Sequence, residues 1–415
     1  MVGLAVQYNF IASIICQPQI MRSYLNILFL LICTIPVTQL FAAPEPKLRI
    51  PFTLYGNHTF IKLKADFTAD SLNFIFDIGA GSSILSNEVF EKAAAAQKGK
   101  VAQQQLEGAG GFENASILDS VDLYYGKASF NDLTLYSFNA ASLSESIGKR
   151  IDGVIGADIL MKYQVFINYN ARALELYDFT EKVVIKNAQI LPFDLVENIP
   201  LITTTLLSPK GKKLKARLYF DSGAGVSLIL NTPFVQQHAL DKEKDKLITY
   251  KIQGMGEASS SVLATFPSLQ FGTFSFANIP VSLSRATKGV SAAADIDGIL
   301  GNDIIKHFNV LLNYETKELA LVLNKQHRLE FKKHYSGARY KIRNGKIFID
   351  AILSESPAEE AGLLPQDVIL RVNGKAFTDI ELFRKTVDQP GKMLSVTIQR
   401  NGEVLKKELT SKSFY

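Results

Sequence analysis

Between residues 48 and 325 the chain is a succession of short apolar runs broken by Gly, Asn and Asp. Leu72-Asn73-Phe74-Ile75-Phe76 and Ala216-Arg217-Leu218-Tyr219-Phe220 are apolar or alternating runs, each stopped by Asp-x-Gly. Their length and two-residue period predict β-strands. Residues 166–179 (FINYNARALELYDF) and 310–323 (VLLNYETKELALVL) each read as two strands joined at Asn-Tyr (Asn168-Tyr169 and Asn313-Tyr314), as hairpins require. Residues 87–97, around Ala93-Ala94-Ala95-Ala96, predict a helix. Asp158 and Asp303 fall where short helices could start, a favourable place for an anion.

The pattern changes after Leu323. Residues 325–334 (KQHRLEFKKH) are polar and basic and predict a linker or connecting strand. Residues 346–352 predict a strand. Ser356 suits a helix N-cap, Pro357 the first helical position, Glu359 the far arm of a capping box and Gly362 the helix stop. Asn373-Gly374 predicts a tight turn. Residues 330–415 thus read as a third, small mixed domain. At the other end, Ile27–Ile32 follows Met21-Arg22-Ser23 and precedes the small residues Ala42-Ala43. A basic start and a short apolar core predict a signal peptide over 1–43, with translation starting at Met21.

The middle of the chain repeats itself. Phe76-Asp77-Ile78-Gly79-Ala80-Gly81 recurs 144 residues later as Phe220-Asp221-Ser222-Gly223-Ala224-Gly225. Residues 151–169 recur 145 residues later as 296–314, identical at 9 of 19 positions without a gap. Two signatures repeated in the same order predict two homologous lobes, 44–182 and 183–325.

Composition narrows the chemistry. A formal net charge of +5, scattered along the chain, gives no footprint for nucleic acid. The 2 cysteines, Cys16 and Cys33, both lie in the leader, so the exported part has neither disulfides nor thiol chemistry. The 5 histidines never fall in a ligand spacing, and no metal site is expected. The repeated aspartates remain. Two carboxylates brought together by a pseudo-twofold axis cannot both ionise easily, so they share a proton. The charged member can take a proton from water while the protonated member donates to a carbonyl under attack. The alternative is that each Asp caps a turn in a duplicated β-domain.

Asp77-Ile78-Gly79-Ala80 and Asp221-Ser222-Gly223-Ala224 resemble the Asp-Thr/Ser-Gly-Ala signature of the aspartic proteases. Val154-Ile155-Gly156 and Ile299-Leu300-Gly301 resemble the hydrophobic-hydrophobic-Gly signature that crosses behind the catalytic loop. The short lobes resemble retropepsin-like bacterial aspartyl proteases, two copies fused in one chain. The resemblance implies Asp77 and Asp221 as the catalytic dyad, with Gly79, Ser222, Gly223, Gly156 and Gly301 in the supporting loops. It also implies flaps, for which Gly108, Gly110 and Gly111 and, in the second lobe, Gly254 and Gly256 are the candidates. Ile78 departs from the pattern, because the family's Thr or Ser hydroxyl at that place helps bind the two loops together.

Residues 356–363 (SPAEEAGL) and 367–374 (DVILRVNG) resemble a PDZ domain of the bacterial, protease-associated kind. The resemblance implies a groove for an extended peptide, with Gly337, Tyr340 and Ile342 on one wall and Leu382 and Phe383 on the other. The expected fold is mainly β: a bilobal acid-protease-like β-barrel pair with a C-terminal α+β PDZ domain at 330–415. The expected function is that of an exported aspartic endopeptidase, with the periplasm, the cell envelope or the medium as its destination. It would act on a peptide or protein substrate as a monomeric catalytic unit without a cofactor, with an extended peptide in the PDZ groove. The competing readings are a pseudoprotease that holds peptides without cutting them, which Ile78 favours, and an envelope scaffold.

Overall fold

The computed structural model describes residues 44–97, 101–108, 111–243, 248–252, 259–327, 331 and 335–412. The leader expected over 1–43 lies outside the described residues. The first lobe opens with β1 (Leu48–Pro51), β2 (Thr53–Tyr55), β3 (His58–Ala65), β4 (Thr68–Phe76) and β5 (Ile84–Ser86). Helix α1 (Asn87–Gln97) follows, then β6 (Ala102–Gly108), β7 (Gly111–Tyr125), β8 (Ala128–Phe138) and helix α2 (Ala141–Ile147). The lobe closes with β9 (Gly153–Ile155), helix α3 (Ala157–Leu160), β10 (Gln164–Asn168) and β11 (Ala173–Tyr177).

The second lobe repeats this order. It runs β12 (Gln189–Pro192), β13 (Asp194–Val196), β14 (Ile199–Leu207), β15 (Lys213–Asp221), β16 (Leu228–Leu230) and helix α4 (Thr232–His238). Then come β17 (Ile248–Ile252), β18 (Ser259–Phe271), β19 (Phe274–Ser284), β20 (Gly298–Gly301), helix α5 (Asn302–Ile305), β21 (Phe308–Asn313) and β22 (Glu318–Leu323).

Each lobe forms an eight-stranded sheet, ordered β2-β3-β4-β9-β5-β8-β7-β6 in the first and β13-β14-β15-β20-β16-β19-β18-β17 in the second. The additional pairings β3–β7 and β14–β18 close six of the eight strands into a ring, so each lobe is a small barrel. A closed ring leaves no unpaired edge among those strands. The second signature strand runs parallel to the first in both lobes: Phe76 lies beside Ile155, and Phe220 beside Leu300. A sheet of six strands, β1-β11-β10-β21-β22-β12, joins the lobes through the antiparallel pair β10–β21. Its two hairpins are those expected at Asn168-Tyr169 and Asn313-Tyr314. The inward faces of the two lobes merge into one apolar core that includes Phe74, Phe76 and Leu85 from one and Leu218, Phe220 and Leu230 from the other. Full burial of such a side chain stabilises by about 1.5–3 kcal/mol.

The last domain has strands β23 (Ala338–Arg343), β24 (Lys346–Ile352), β25 (Val368–Val372), β26 (Met393–Arg400) and β27 (Glu403–Thr410), with helices α6 (Pro357–Glu360) and α7 (Ile380–Val387). Its five strands are ordered as in the chain, and it has its own core around Ile349, Phe383, Val396 and Ile398. The Ser356 hydroxyl caps α6 by accepting from the Glu359 N–H at 3.3 Å. The return arm of the capping box lands one residue early: Glu359 accepts from the N–H of Glu355 at 2.6 Å rather than from that of Ser356.

Candidate functional site

Strands β4 and β15 carry the Asp-x-Gly turns to the contact between the lobes. The Gly79 N–H donates to Asp77 Oδ1 at 2.7 Å, and the Gly223 N–H to Asp221 Oδ1 at 2.8 Å. Across the lobes, the Gly223 N–H also donates to Asp77 Oδ1 at 2.9 Å. Each glycine lies against the opposite carboxyl group. A Cβ at 79 would come 2.2 Å from Asp221 Cγ, and one at 223 would come 2.1 Å from Asp77 Cγ. No residue with a side chain fits either place.

The two carboxyl groups are part-buried and meet at the contact between the lobes, each against the opposite loop's glycine. Burial raises both above the ordinary carboxylate range, and the Asp221 charge raises Asp77 further. The loop N–H groups pull in the other direction, but burial prevails. Two acids so placed resist ionising together, which favours sharing of one proton.

One hydroxyl braces the loops. Ser222 Oγ accepts from the Ile78 N–H at 2.9 Å and donates to the Phe76 carbonyl at 3.3 Å, both across the lobes. Ile78 is fully buried in the shared core, so the reciprocal place is filled by packing rather than by a hydroxyl. The Ser222→Ala variant is expected to lose about 1–3 kcal/mol, because the buried Ile78 N–H loses its acceptor. Chemical denaturation measures this, and a loss below about 0.5 kcal/mol would show that the hydroxyl is no brace.

The supporting strands fasten each loop from behind. The Gly156 N–H donates to Ser83 Oγ at 3.0 Å, and Ser83 Oγ donates to Asp158 at 2.7 Å. In the second lobe the Gly301 N–H donates to the Ser227 carbonyl at 3.0 Å, and Ser227 Oγ donates to Asp303 at 2.6 Å. Asp158 and Asp303 thus sit at the starts of α3 and α5, as their spacing predicted, and hold the loops. Burial raises Asp158 above the ordinary carboxylate range.

Several site residues escaped the sequence reading. Asn57, in the β2–β3 turn, donates to the Gly225 carbonyl at 3.1 Å and to Asp303 at 3.0 Å, and accepts from Lys306 at 2.9 Å. The matching turn of the second lobe presses the Glu197 carbonyl against Gly81. Tyr169 donates to Asn302 Oδ1 at 2.5 Å. Its repeat partner, Tyr314, meets no such group: Ala157 stands where Asn302 stands in the other lobe, and the buried Tyr314 hydroxyl has no partner among the described residues. Tyr169→Phe is therefore expected to cost about 1–2 kcal/mol and Tyr314→Phe nearly nothing. Equal losses in paired melts would remove the asymmetry.

Of the flap glycines, Gly108 and Gly111 are described. Gly108 pairs with Gly111 at the tip of β6–β7, and Gly111 has a φ of 126°. Gly110, Gly254 and Gly256 lie outside the described residues. The groove residues need correction. Tyr340 and Phe383 face each other in the domain's own core, with ring centroids 4.7 Å apart and exposures of 4% and 0%. The inward stripe of α7 is Ile380, Phe383 and Val387, which leaves Leu382 47% exposed. Gly337 shapes the loop before β23 with a φ of 72°, and Ile342 is part-buried.

Residues 64–159 and 208–304 match the family model described as aspartyl protease, and residues 329–410 match that of the PDZ domain. Fold and site together thus define a retropepsin-like aspartyl protease domain built from two lobes. The chain carries this domain in two segments and ends in a PDZ domain. Over 70 residues it is also 34% identical to a probable CtpA-like serine protease of Staphylococcus saprophyticus and 37% identical to one of Staphylococcus aureus strain COL. Each alignment covers 16% of this chain and 14% of the relative, so the chain spans about a seventh of the length of these curated relatives.

Proposed function

We propose that the protein is an exported aspartic endopeptidase in which Asp77 and Asp221 share the acid and base roles around one water. The protease family domain supports a peptidase, and the PDZ and protease families together suggest binding of peptides or proteins. The observation that carries the aspartic reading is the meeting of the two carboxyl groups at the lobe contact, where the Gly223 N–H donates to both. The charged carboxylate takes a proton from the attacking water, and the protonated partner donates to the carbonyl oxygen of the scissile amide. No covalent intermediate forms. The two lobes supply both acids from one chain, so the catalytic unit is a monomer, and the β6–β7 and β17–β18 hairpins flank the substrate. The serine-protease name of the relatives is not carried over, since they align with so little of this chain.

Ile78 favours a second reading, a pseudoprotease that holds an extended peptide without cutting it. Purified residues 44–415 incubated with a mixed peptide pool from about pH 3 to about pH 8 separate the two. Mass spectrometry is expected to show internal cleavages. Binding of the pool without any cleavage across that range would leave the pseudoprotease.

A further inference from the structure

A PDZ domain can hold a peptide through the loop before its groove strand, through the strand's open edge and through the facing helix. Here that strand is β23, at one edge of its sheet, and the helix is α7. Each is partly engaged from within the chain, around a cavity of about 540 Å³ that Tyr335, Ala338 and Tyr340 line from the strand side and Arg384, Lys385 and Asp388 from the helix side. In the loop, the N–H groups of Tyr335 and Ser336 and the Ser336 hydroxyl donate to Asp388 Oδ1 at 3.2, 3.1 and 2.9 Å. A side-chain carboxylate thus sits where a chain-terminal carboxylate would be captured. At the edge, the Tyr340 carbonyl accepts from Arg384 Nη2 of α7 at 2.7 Å, and that nitrogen also donates to the Ser146 carbonyl of the first lobe at 2.7 Å.

Helix α2 of the first lobe lies against this edge. Lys341 donates to Ser142 Oγ at 3.1 Å, and Arg343 pairs two-pronged with Glu145, with Nη2 to Oε2 at 2.8 Å. Gly148, which caps α2 with a φ of 90°, is wedged between the groove walls. A Cβ there would come 2.1 Å from Ile380 Cγ2 and 3.4 Å from Ile342 Cγ2. The domain has a second footing on the other lobe. Leu353, just past β24, packs with Ile248 and Leu263 of the β17–β18 hairpin. Arg339 lines one cavity with Tyr250 of the same hairpin.

We infer that the PDZ domain is an internal clamp: residues 141–148 of this same chain hold the far end of its groove strand, tying α2 of the first lobe to the β17–β18 hairpin of the second. A tethered partner acts at an effective concentration of about millimolar, which a free peptide of ordinary PDZ affinity does not displace. The inference uses none of the carboxyl chemistry and stands whether or not the protein cuts peptides.

Amide hydrogen exchange on residues 44–415 tests it. Segments 141–148 and 338–343 are expected to be protected in the wild type. The double variant Arg343→Glu/Arg384→Met should speed exchange in both by about tenfold or more, since charge-assisted bonds are lost from each. Gly148→Val attacks the same contact from the other side and should do likewise. Segment 403–410, in the far strand β27, should keep its rate in both cases, showing that the domain remains folded. Acceleration of one segment alone, or of neither, overturns the clamp. So does micromolar binding of a labelled decapeptide pool by the wild type that is abolished by Ile342→Asp.

Discussion

Asp77→Asn and Asp221→Asn are each expected to lower peptide hydrolysis by at least about 10²–10⁴-fold and, at neutral pH, to make the protein more stable. An amide cannot share the proton, so neither the acid nor the base role can be completed. The stability gain follows from linkage. Both carboxyls titrate higher in the folded protein than in the unfolded chain. The folded state therefore binds the shared proton more tightly, and the pair's contribution to stability is present below the ordinary carboxylate pKa. It is lost as pH rises from there through the raised folded value. Asparagine removes that loss, so the variants should be more stable than the wild type at pH near 7 and converge with it near pH 3. Activity assays and melts over that range measure both. Near wild-type turnover in either variant ends the two-carboxylate mechanism, and a gain that persists unchanged into acid would mean that the burial is not electrostatic in its effect.

Gly301→Ala should be the most damaging small substitution behind the site. The added methyl would lie 2.0 Å from the Val226 carbonyl oxygen and 2.8 Å from that of Ala224. Both neighbours are backbone, in the loop that carries Asp221, so the contact is relieved only by moving that loop itself. A destabilisation of about 3 kcal/mol or more and a matching loss of activity are expected. Gly211→Ala is the comparison. Nothing lies within 4 Å of its Cβ position, although its φ of 82° also disfavours alanine. Its cost should stay near 1 kcal/mol and leave activity unchanged. Equal effects in denaturation would assign the loss to backbone conformation rather than to crowding.

The loops were legible because the chain writes them twice. A strand ending in Asp-x-Gly, with its glycine-tipped partner about 75 residues on, has few solutions once repeated, and α1 followed from four consecutive alanines. The clasps across the lobes were not legible. Asn57 meets Asp303 from 246 residues away, and nothing in the local pattern around a turn asparagine distinguishes a lobe-to-lobe contact from an ordinary turn. The groove failed for a different reason. Leu382 and Phe383 are adjacent apolar residues on one short helix, about 100° apart around its axis, so they cannot both face the same wall. Burial against Tyr340 selects Phe383 for the core. That α2 meets the end of β23 at Lys341 and Arg343 is a property of two surfaces far apart in sequence, and each taken alone looks like ordinary solvated charge.

The sheet that joins the lobes has a consequence for how the protein is made. Strand β10 is flanked by β11 on one side and by β21 on the other, and residues 308–313 are the last to arrive. Synthesis from the N-terminus completes the first barrel well before β21 has left the ribosome. During that interval the Val165–Ile167 stretch presents an apolar strand with one open edge, the kind of template on which chains pair with one another. A half-length product ending between the lobes would keep that edge permanently. Translation that stalls between the lobes is thus predicted to yield aggregates rather than a soluble first lobe, and a holding chaperone would find its binding site at β10.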